Sequence, residues 1–361
     1  MLRITFKLML ALLISAFVFC FGARTARATT YIVGKCKVGT RFGKIQDALN
    51  ATPEPTIVEV CPGEYPEQVT ITKPVTLQGV AFLNSSFATL VPPSGGLMHN
   101  ATLLNGNPAA VQILVENVSG AVNLTNLVVN GSAADVGGAA VVGILYENTP
   151  GTINHMVTFN VSGGTGGFGI YLAGGSANPK VTIQNSTFDH DDTGLWVQSN
   201  STSSELTAII ENNLATFCAT CIDVEAGATL TISNNMFNTN GRIGIELNGS
   251  TGSVTGNTIV GGGQFGIATE IEGFSITSNK IYDAGLGILL DIAVVEANVT
   301  GNTLTNIGRF GISFCGSPGT PNKVHSNTFV DSNIGYNAPS GFPLAGNTFI
   351  GVTNDAVEPC N

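Results

Sequence analysis

Basic charge, histidine and tryptophan are all scarce in this chain. Lys and Arg number 14 against 24 Asp and Glu in 361 residues, with four His and a single Trp. A surface of that sign repels phosphate backbones, which argues against a nucleic-acid partner. Polyanionic sugars meet the same repulsion unless a cation bridges the two. The four histidines, His99, His155, His190 and His325, are scattered and do not form a ligand motif. A membrane-spanning apolar run is missing as well. The long apolar stretch from Leu8 to Phe21 falls short of the roughly 20 residues a span requires.

That stretch has a different meaning. Arg3 and Lys7 precede it, and Ala26-Arg27-Ala28 supplies a small-x-small cleavage site, the order of a secretory signal peptide. Cys20 does not fit a lipoprotein site, because Phe19 stands where a small residue belongs. The expectation is a leader over 1–28, with an uncleaved anchor as the lesser alternative, and a secreted or periplasmic domain over 29–361. Cleavage removes only basic side chains and leaves 10 of them against 24 acidic ones, a net charge of about −14. Six cysteines remain, and an even count in an exported chain favours disulfides. Neighbourhood in sequence suggests Cys36–Cys61, Cys218–Cys221 and Cys315–Cys360. The Cys218-Ala-Thr-Cys221 segment has no second CxxC to make a metal site, so a structural bridge is the expectation there.

From about Met156 the chain repeats itself. Asparagine recurs at Asn235, Asn257, Asn279, Asn302, Asn327 and Asn347, with gaps of 22, 22, 23, 25 and 20. Glycine recurs at Gly244, Gly266, Gly287, Gly311 and Gly335, with gaps of 22, 21, 24 and 24. Two residue types in fixed phase at one period mark a solenoid. Each unit is a few short alternating strands with no room for a helix of about ten residues, and it buries its apolar face only by stacking on copies of itself. Coils about 4.8 Å apart let every strand pair in parallel with its neighbour. The asparagines then form a hydrogen-bonded ladder, and glycine sits where a Cβ would clash or the backbone must bend. The fold class is therefore all-β, a right-handed parallel β-helix of three strands and some 22–25 residues per coil, the hand following from the bias of parallel crossovers. Phe42, Ile45 and Leu49 lie at helical spacing ahead of Pro53, which predicts a short capping helix over 42–51. The tail, 340–361, is expected to fold back over the last coil.

Residues 44–79 contain Pro62-Gly63-Glu64-Tyr65-Pro66-Glu67 and Lys73-Pro74-Val75-Thr76-Leu77-Gln78-Gly79. This opening resembles that of pectin-lyase-like β-helix proteins, including pectin methylesterases and NosD-type periplasmic proteins. The resemblance implies the fold. It does not imply the esterase activity, because the Gln-Ala-Val-Ala-Leu, Gln-Asp-Thr and Asp-Phe-x-Phe-Gly segments of that family are missing. Tyr65 and Glu67 are accordingly read as cap residues. Copper, which the NosD likeness alone suggests, finds no matching set among the four histidines.

Aligning coils on the glycine gives GIYLAG, GLWVQS, CIDVEA, GIELNG, GIATEI and GILLDI. Period two sends Ile170/Leu172, Leu195/Val197, Ile222/Val224 and Ile245/Leu247 inward. It sends Tyr171, Trp196, Asp223 and Glu246 outward, followed by Gln198, Glu225, Asn248, Glu270 and Asp291. One outer face thus carries aromatic rings beside carboxylates, the pairing that a polysaccharide or cell-surface glycan requires. Tyr171, Trp196, Gln198, Glu270 and Asp291 are the candidate contacts. Carboxylates in register also repel one another, and bound Ca²⁺ would relieve that. The bland alternative is that acids on this face serve solubility.

Catalysis is open at this stage. A glycosidase needs two carboxyl groups about 5 Å apart for retention or about 6.5–9.5 Å for inversion. Asp223 with Glu246 meets the first on adjacent coils, and Glu225 with Glu270 approaches the second. A Ca²⁺-dependent lyase or epimerase would need a proton acceptor as well, and no segment ties one to these acids. The run Asp189-His190-Asp191-Asp192 adds Asp191 and Asp192 as candidates, since polygalacturonases resemble it in carrying an Asp-Asp pair ahead of a strand on this face. That family's companion segments are missing, and a turn favours Asp anyway. Three readings follow: a monomeric glycan-binding exoprotein, a polysaccharide-active enzyme using Asp223, Glu225, Glu246, Asp191 or Asp192, and a purely structural exoprotein.

Overall fold

The computed structural model describes residues 28–39, 41–80, 87–132, 136–175, 178–200, 206–238, 241–270, 274–291, 297–314, 323–337 and 346–357. The expected leader, Cys315 and Cys360 lie outside them. The described strands form three parallel sheets of thirteen, twelve and thirteen members. The first sheet runs from Arg41–Phe42, beside Thr30–Val33, to Lys323–His325, the second from Gly63–Pro66 to Thr348–Ile350, the third from Val69–Ile71 to Asn354–Val357. One coil takes one strand from each sheet in turn, for example Ala228–Ser233, Met236–Asn238 and Ile243–Leu247. The alternation read from the sequence puts Ile222, Val224, Ile245 and Leu247 into a continuous interior, where they are fully buried.

The asparagine ladder stands at the corner between the first and second sheets. Asn257 Nδ2 donates to Asn279 Oδ1 at 3.0 Å and to the Ile232 carbonyl at 2.9 Å, and its Oδ1 accepts from the Asn235 backbone N–H at 2.9 Å. The same bonds recur from Asn213 to Asn347. Side-chain amides thereby satisfy corner N–H and C=O groups that the sheets leave over. The glycines of the third sheet answer to space. A Cβ on Gly244, Gly266, Gly287 or Gly311 would lie 2.4–2.7 Å from the carbonyl oxygen of a neighbouring coil, and none of the four has a left-handed φ. The clash anticipated from sequence is present; a glycine-specific bend is not.

The N-terminal end is closed by a helix over Ile45–Leu49, shorter than the expected 42–51, with Ile45, Ala48 and Leu49 buried. Phe42 belongs instead to a two-residue strand beside Thr30–Val33, its carbonyl accepting from the Gly34 N–H and its ring packed edge-on against Tyr31. Extended pairing there holds the chain out of the helix until Ile45. Glu67 accepts from the Ile45 and Gln46 N–H groups at 2.9 and 3.2 Å, and the Tyr65 hydroxyl donates to the Cys61 carbonyl at 2.7 Å. Both motif residues thus serve the cap, Glu67 by satisfying helix N-terminal donors. Cys36 and Cys61 form a disulfide beside them.

Two expectations are corrected. Cys218 and Cys221 are free, buried thiols. Cys218 Sγ is turned toward the carbonyl oxygens of Thr216 and Phe188, at 3.7 and 3.8 Å, while Cys221 occupies the slot that glycine fills elsewhere in the third sheet. The described part of the tail does not fold back. Thr348–Ile350 and Asn354–Val357 pair in parallel with the strands before them and add to the stack.

Candidate functional site

The DHDD segment resolves into corner chemistry. Asp189 Oδ1 accepts from Thr216 Oγ1 and pairs with His190 Nδ1, and the His190 ring stacks on Phe217 with centroids 4.5 Å apart. Asp191 points inward and is 2 % exposed, its carboxylate accepting from Thr158 Oγ1 at 2.6 Å and from the Val161 N–H at 2.8 Å. Burial pushes it up to about 7 despite those two bonds. Asp192 is exposed and caps the Gly163 N–H at 3.2 Å. Asp191 therefore has no access to a ligand, and neither aspartate lies on the outer face with Asp223. The candidate role given to this pair on its likeness to polygalacturonases is withdrawn: the turn needed carboxylates for its own backbone.

The outer face of the third sheet is built as the repeat predicts. Tyr171, Trp196, Asp223 and Glu246 stand opposite one another on successive strands. Beside them runs a second row through Gln198, Glu225, Asn248, Glu270 and Asp291, each later strand donating a backbone N–H to the strand before it. The row also extends backward to Glu147 and Glu116. Sequence alignment missed these two because the regular repeat starts only after them; the alternation in Ala140–Glu147 was the available signal.

Tyr171 departs from expectation. It faces outward from the solenoid yet is only 1 % exposed. Residues 97–107 leave the coil, pair Ala101–Thr102 antiparallel to Pro108–Glu116, and bring Leu103 into one buried cluster with Leu114, Leu145, Phe168 and Tyr171. A second apolar cluster thus covers the outer face of the early coils. The Tyr171 hydroxyl donates to Gln198 Oε1 and takes a bond from the Leu104 backbone, and burial raises its pKa. Tyr171 is a wall of the site, not an open platform. Trp196 is the first outer ring beyond the cover, half-buried, stacked on Tyr171 at 6.2 Å and 4° and edge-on to Phe168 at 5.0 Å.

Beyond Trp196 the carboxylates begin. Asp223 is half-buried, and desolvation, then Glu246, then Glu225 push its carboxyl up to about 7. Glu246 lies one coil away, about 4.8 Å along the axis. Near neutral pH the row therefore holds a substantially protonated carboxyl beside further acids, the split that acid–base chemistry uses. Three atoms here are buried without a protein hydrogen-bond partner: Trp196 Nε1, Asp223 Oδ1 and Asn248 Oδ1. Unpaired buried polar atoms are costly, so they mark places where a ligand or solvent group bonds.

Among the described residues no group of three or more His, Cys, Asp or Glu side chains is placed to hold a metal ion. Ca²⁺ thus finds no such set around Asp223, and the histidines bring no copper set. Among the described residues no helix is long and apolar enough to cross a membrane. The cleft beside the capping helix, lined by Leu49, Asn50, Pro55, Thr70 and Lys73, lies at the N-terminal end, away from Asp223.

The family model described as "Right handed beta helix region" matches residues 200–356, which supplies the hand of the solenoid. The chain is a right-handed parallel β-helix. Residues 102–269 of this β-helix match the model described as "Periplasmic copper-binding protein (NosD)"; the histidines do not support the copper in that description. No curated protein matches the chain in sequence. Among solved structures it is similar to the A-module of mannuronan C-5 epimerase AlgE4 from Azotobacter vinelandii, at 15% identity over 84% of this chain and 88% of that one, TM-score 0.53. It is similar to the surface protein and adhesin PfbA of Streptococcus pneumoniae, at 12% identity over 84% and 94%, TM-score 0.52. A GH136 lacto-N-biosidase from Eubacterium ramulus aligns at 11% identity over 91% and 67%, TM-score 0.58. At such identities the likeness is one of fold.

Proposed function

We propose that this β-helix is an exported protein that binds an uncharged glycan on the outer face of its third sheet, through Trp196, Gln198, Asp223, Glu225 and Glu246, with Glu270 and Asp291 continuing the acidic row. The observation that carries the reading is where the cover ends: a half-buried indole, then carboxylates in register, with Trp196 Nε1, Asp223 Oδ1 and Asn248 Oδ1 unpaired among them. An indole offers an apolar face to sugar C–H groups, and a rotation of these half-buried side chains would present the unpaired atoms, one donor and two acceptors, to hydroxyls. The charge of the face selects the ligand class. Five acids along one strip repel a uronate chain, so a neutral sugar is the fitting partner. The PfbA adhesin and the GH136 lacto-N-biosidase are compatible company, one named for surface adhesion and one for a carbohydrate substrate, whereas the AlgE4 epimerase is named for mannuronan, a uronate polymer, and lends this reading only the fold. The signal-like sequence over 1–28, the Cys36–Cys61 disulfide and the periplasmic name of the NosD match support export.

Calorimetric titration of the mature protein with neutral and uronate polysaccharides, with product analysis of the same samples, tests this. Binding to a neutral polymer that is lost in Trp196→Ala supports the site. Binding untouched by Trp196→Ala removes it from this face. A second reading, hydrolysis, rests on the proton held by Asp223 near pH 7 beside Glu246 at a spacing suited to retention. Asp223 would protonate the leaving oxygen and Glu246 would act as nucleophile. Products that disappear in Asp223→Ala would establish it, and their absence with every binding polymer would refute it.

A further inference from the structure

We infer that this face receives a glycan by a chain end and not along its length, an inference that rests on the glycan-binding reading above. Three structural facts lead to it. First, the outer face of the third sheet is closed on its N-terminal side. Leu103, with Ala101 and Leu104 against the same cluster, covers the outward residues Leu114, Leu145 and Tyr171, and all three are at most 2 % exposed. Second, the closure is fastened at the site itself. The Tyr171 hydroxyl is held between the Leu104 backbone and Gln198, so the wall cannot lift without breaking a buried hydrogen-bonded pair. Third, access opens over the following coils. Trp196 and Asp223 are half-buried and Glu270 is exposed. A ligand lying along the solenoid axis can extend over the later coils, but it stops at Trp196.

The polar atoms at that stop suit a terminus. An internal unit of a linear glycan spends one more oxygen on a linkage than a terminal unit does. A terminal unit therefore brings an additional free hydroxyl, which needs its own partner. Trp196 Nε1, Asp223 Oδ1 and Asn248 Oδ1 lack protein partners and lie on three successive coils beginning at the wall, Asn248 just past the end of Ile243–Leu247. Once their half-buried side chains rotate, they supply a donor and two acceptors at the point where a chain must end. Binding a mid-chain unit there would require the polymer to continue through the Leu103–Tyr171 cluster or to turn across the strands.

Stoichiometry against chain length decides the matter, with the intact mature protein and size-fractionated neutral glucans, mannans and galactans as probes. End binding predicts that moles of protein bound per mole of chain stay constant as chains lengthen. It also predicts that affinity per chain levels off once the outer row is filled. A ratio that rises in proportion to length would show lengthwise binding and overturn the inference while leaving the glycan reading intact. No binding by any neutral probe would overturn both. The test needs no variant, so a folding defect cannot obscure it.

Discussion

Replacing Asn257 with alanine probes the element that makes the coils stack. Its side chain is fully buried and accepts from the Asn235 N–H and from Asn235 Nδ2, both at 2.9 Å, while donating to the Ile232 carbonyl at 2.9 Å and to Asn279 Oδ1 at 3.0 Å. Alanine leaves the Asn235 N–H, one of the two Asn235 Nδ2 hydrogens and the Ile232 carbonyl short of these bonds, the other Nδ2 hydrogen staying on the Ile210 carbonyl; Asn279 Oδ1 keeps its bond from the residue 257 N–H. Each orphaned group costs about 1–3 kcal/mol, and relaxation of the corner recovers part, so the expected loss is about 3–6 kcal/mol. That is a large share of the roughly 5–15 kcal/mol that holds a typical protein folded. Asn257→Asp should be worse than alanine, because it sets a buried carboxylate against the Ile232 carbonyl and Asn279 Oδ1. Asn123→Ala is the control, since its side chain makes one long contact of 3.5 Å to Thr76 Oγ1 and should cost within about 0.5 kcal/mol. Urea unfolding followed by circular dichroism measures all three. A loss under about 1 kcal/mol for Asn257→Ala would show that the ladder is not what satisfies the corner.

The other expectations concern space, protons and thiols. Gly266→Ala places a Cβ 2.6 Å from the Gly287 carbonyl oxygen and should destabilise by about 1–3 kcal/mol, whereas Gly95→Ala meets nothing within 4 Å and should be neutral; the same urea titration separates them. Asp191 and Asp223 both hold protons in the fold to about pH 7, against about 3.9 for an unfolded aspartate. The native state then binds more protons between those values, so stability is highest in acid and falls as pH rises from about 4 to 7. Asp191→Asn keeps an acceptor for the Val161 N–H and should remove the slope of roughly 1.4 kcal/mol per pH unit contributed by that site; an unchanged profile would contradict the burial argument. Peptide mapping after alkylation without reductant should find Cys218 and Cys221 unmodified in the native protein and modified in denaturant, with Cys36 and Cys61 joined throughout. A Cys218–Cys221 bridge in that map would contradict two free thiols.

The fold was legible because its cause is periodic. Asn257 and Gly266 recur for one reason each, a corner hydrogen bond and a close carbonyl, and those reasons repeat with every coil. The inward and outward rows follow from period two alone, and that period already puts Asp223, Glu225 and Glu246 on one outer face. What breaks the period was not legible. Residues 97–107 leave the coil, and nothing in their spacing says that Leu103 joins one buried cluster with Tyr171, some seventy positions further on. Asp191 misled for a related reason: three acids in a turn read as exposed, yet the corner turns one of them inward to hold the Val161 N–H. Phe42 fitted a helical spacing, and strand pairing to Thr30–Val33 overrode it.

The central claim, that the face around Trp196 is the binding site for an uncharged glycan, is tested most directly by fluorescence, because Trp196 is the single tryptophan of the sequence. Titrating the folded protein at low ionic strength with a panel of neutral oligosaccharides should give, for the matching sugar, a saturable change in indole emission that Asp223→Ala weakens. Uronate oligosaccharides should give none. Indole emission that stays constant across the neutral panel, or that responds to uronates in preference, would contradict the account.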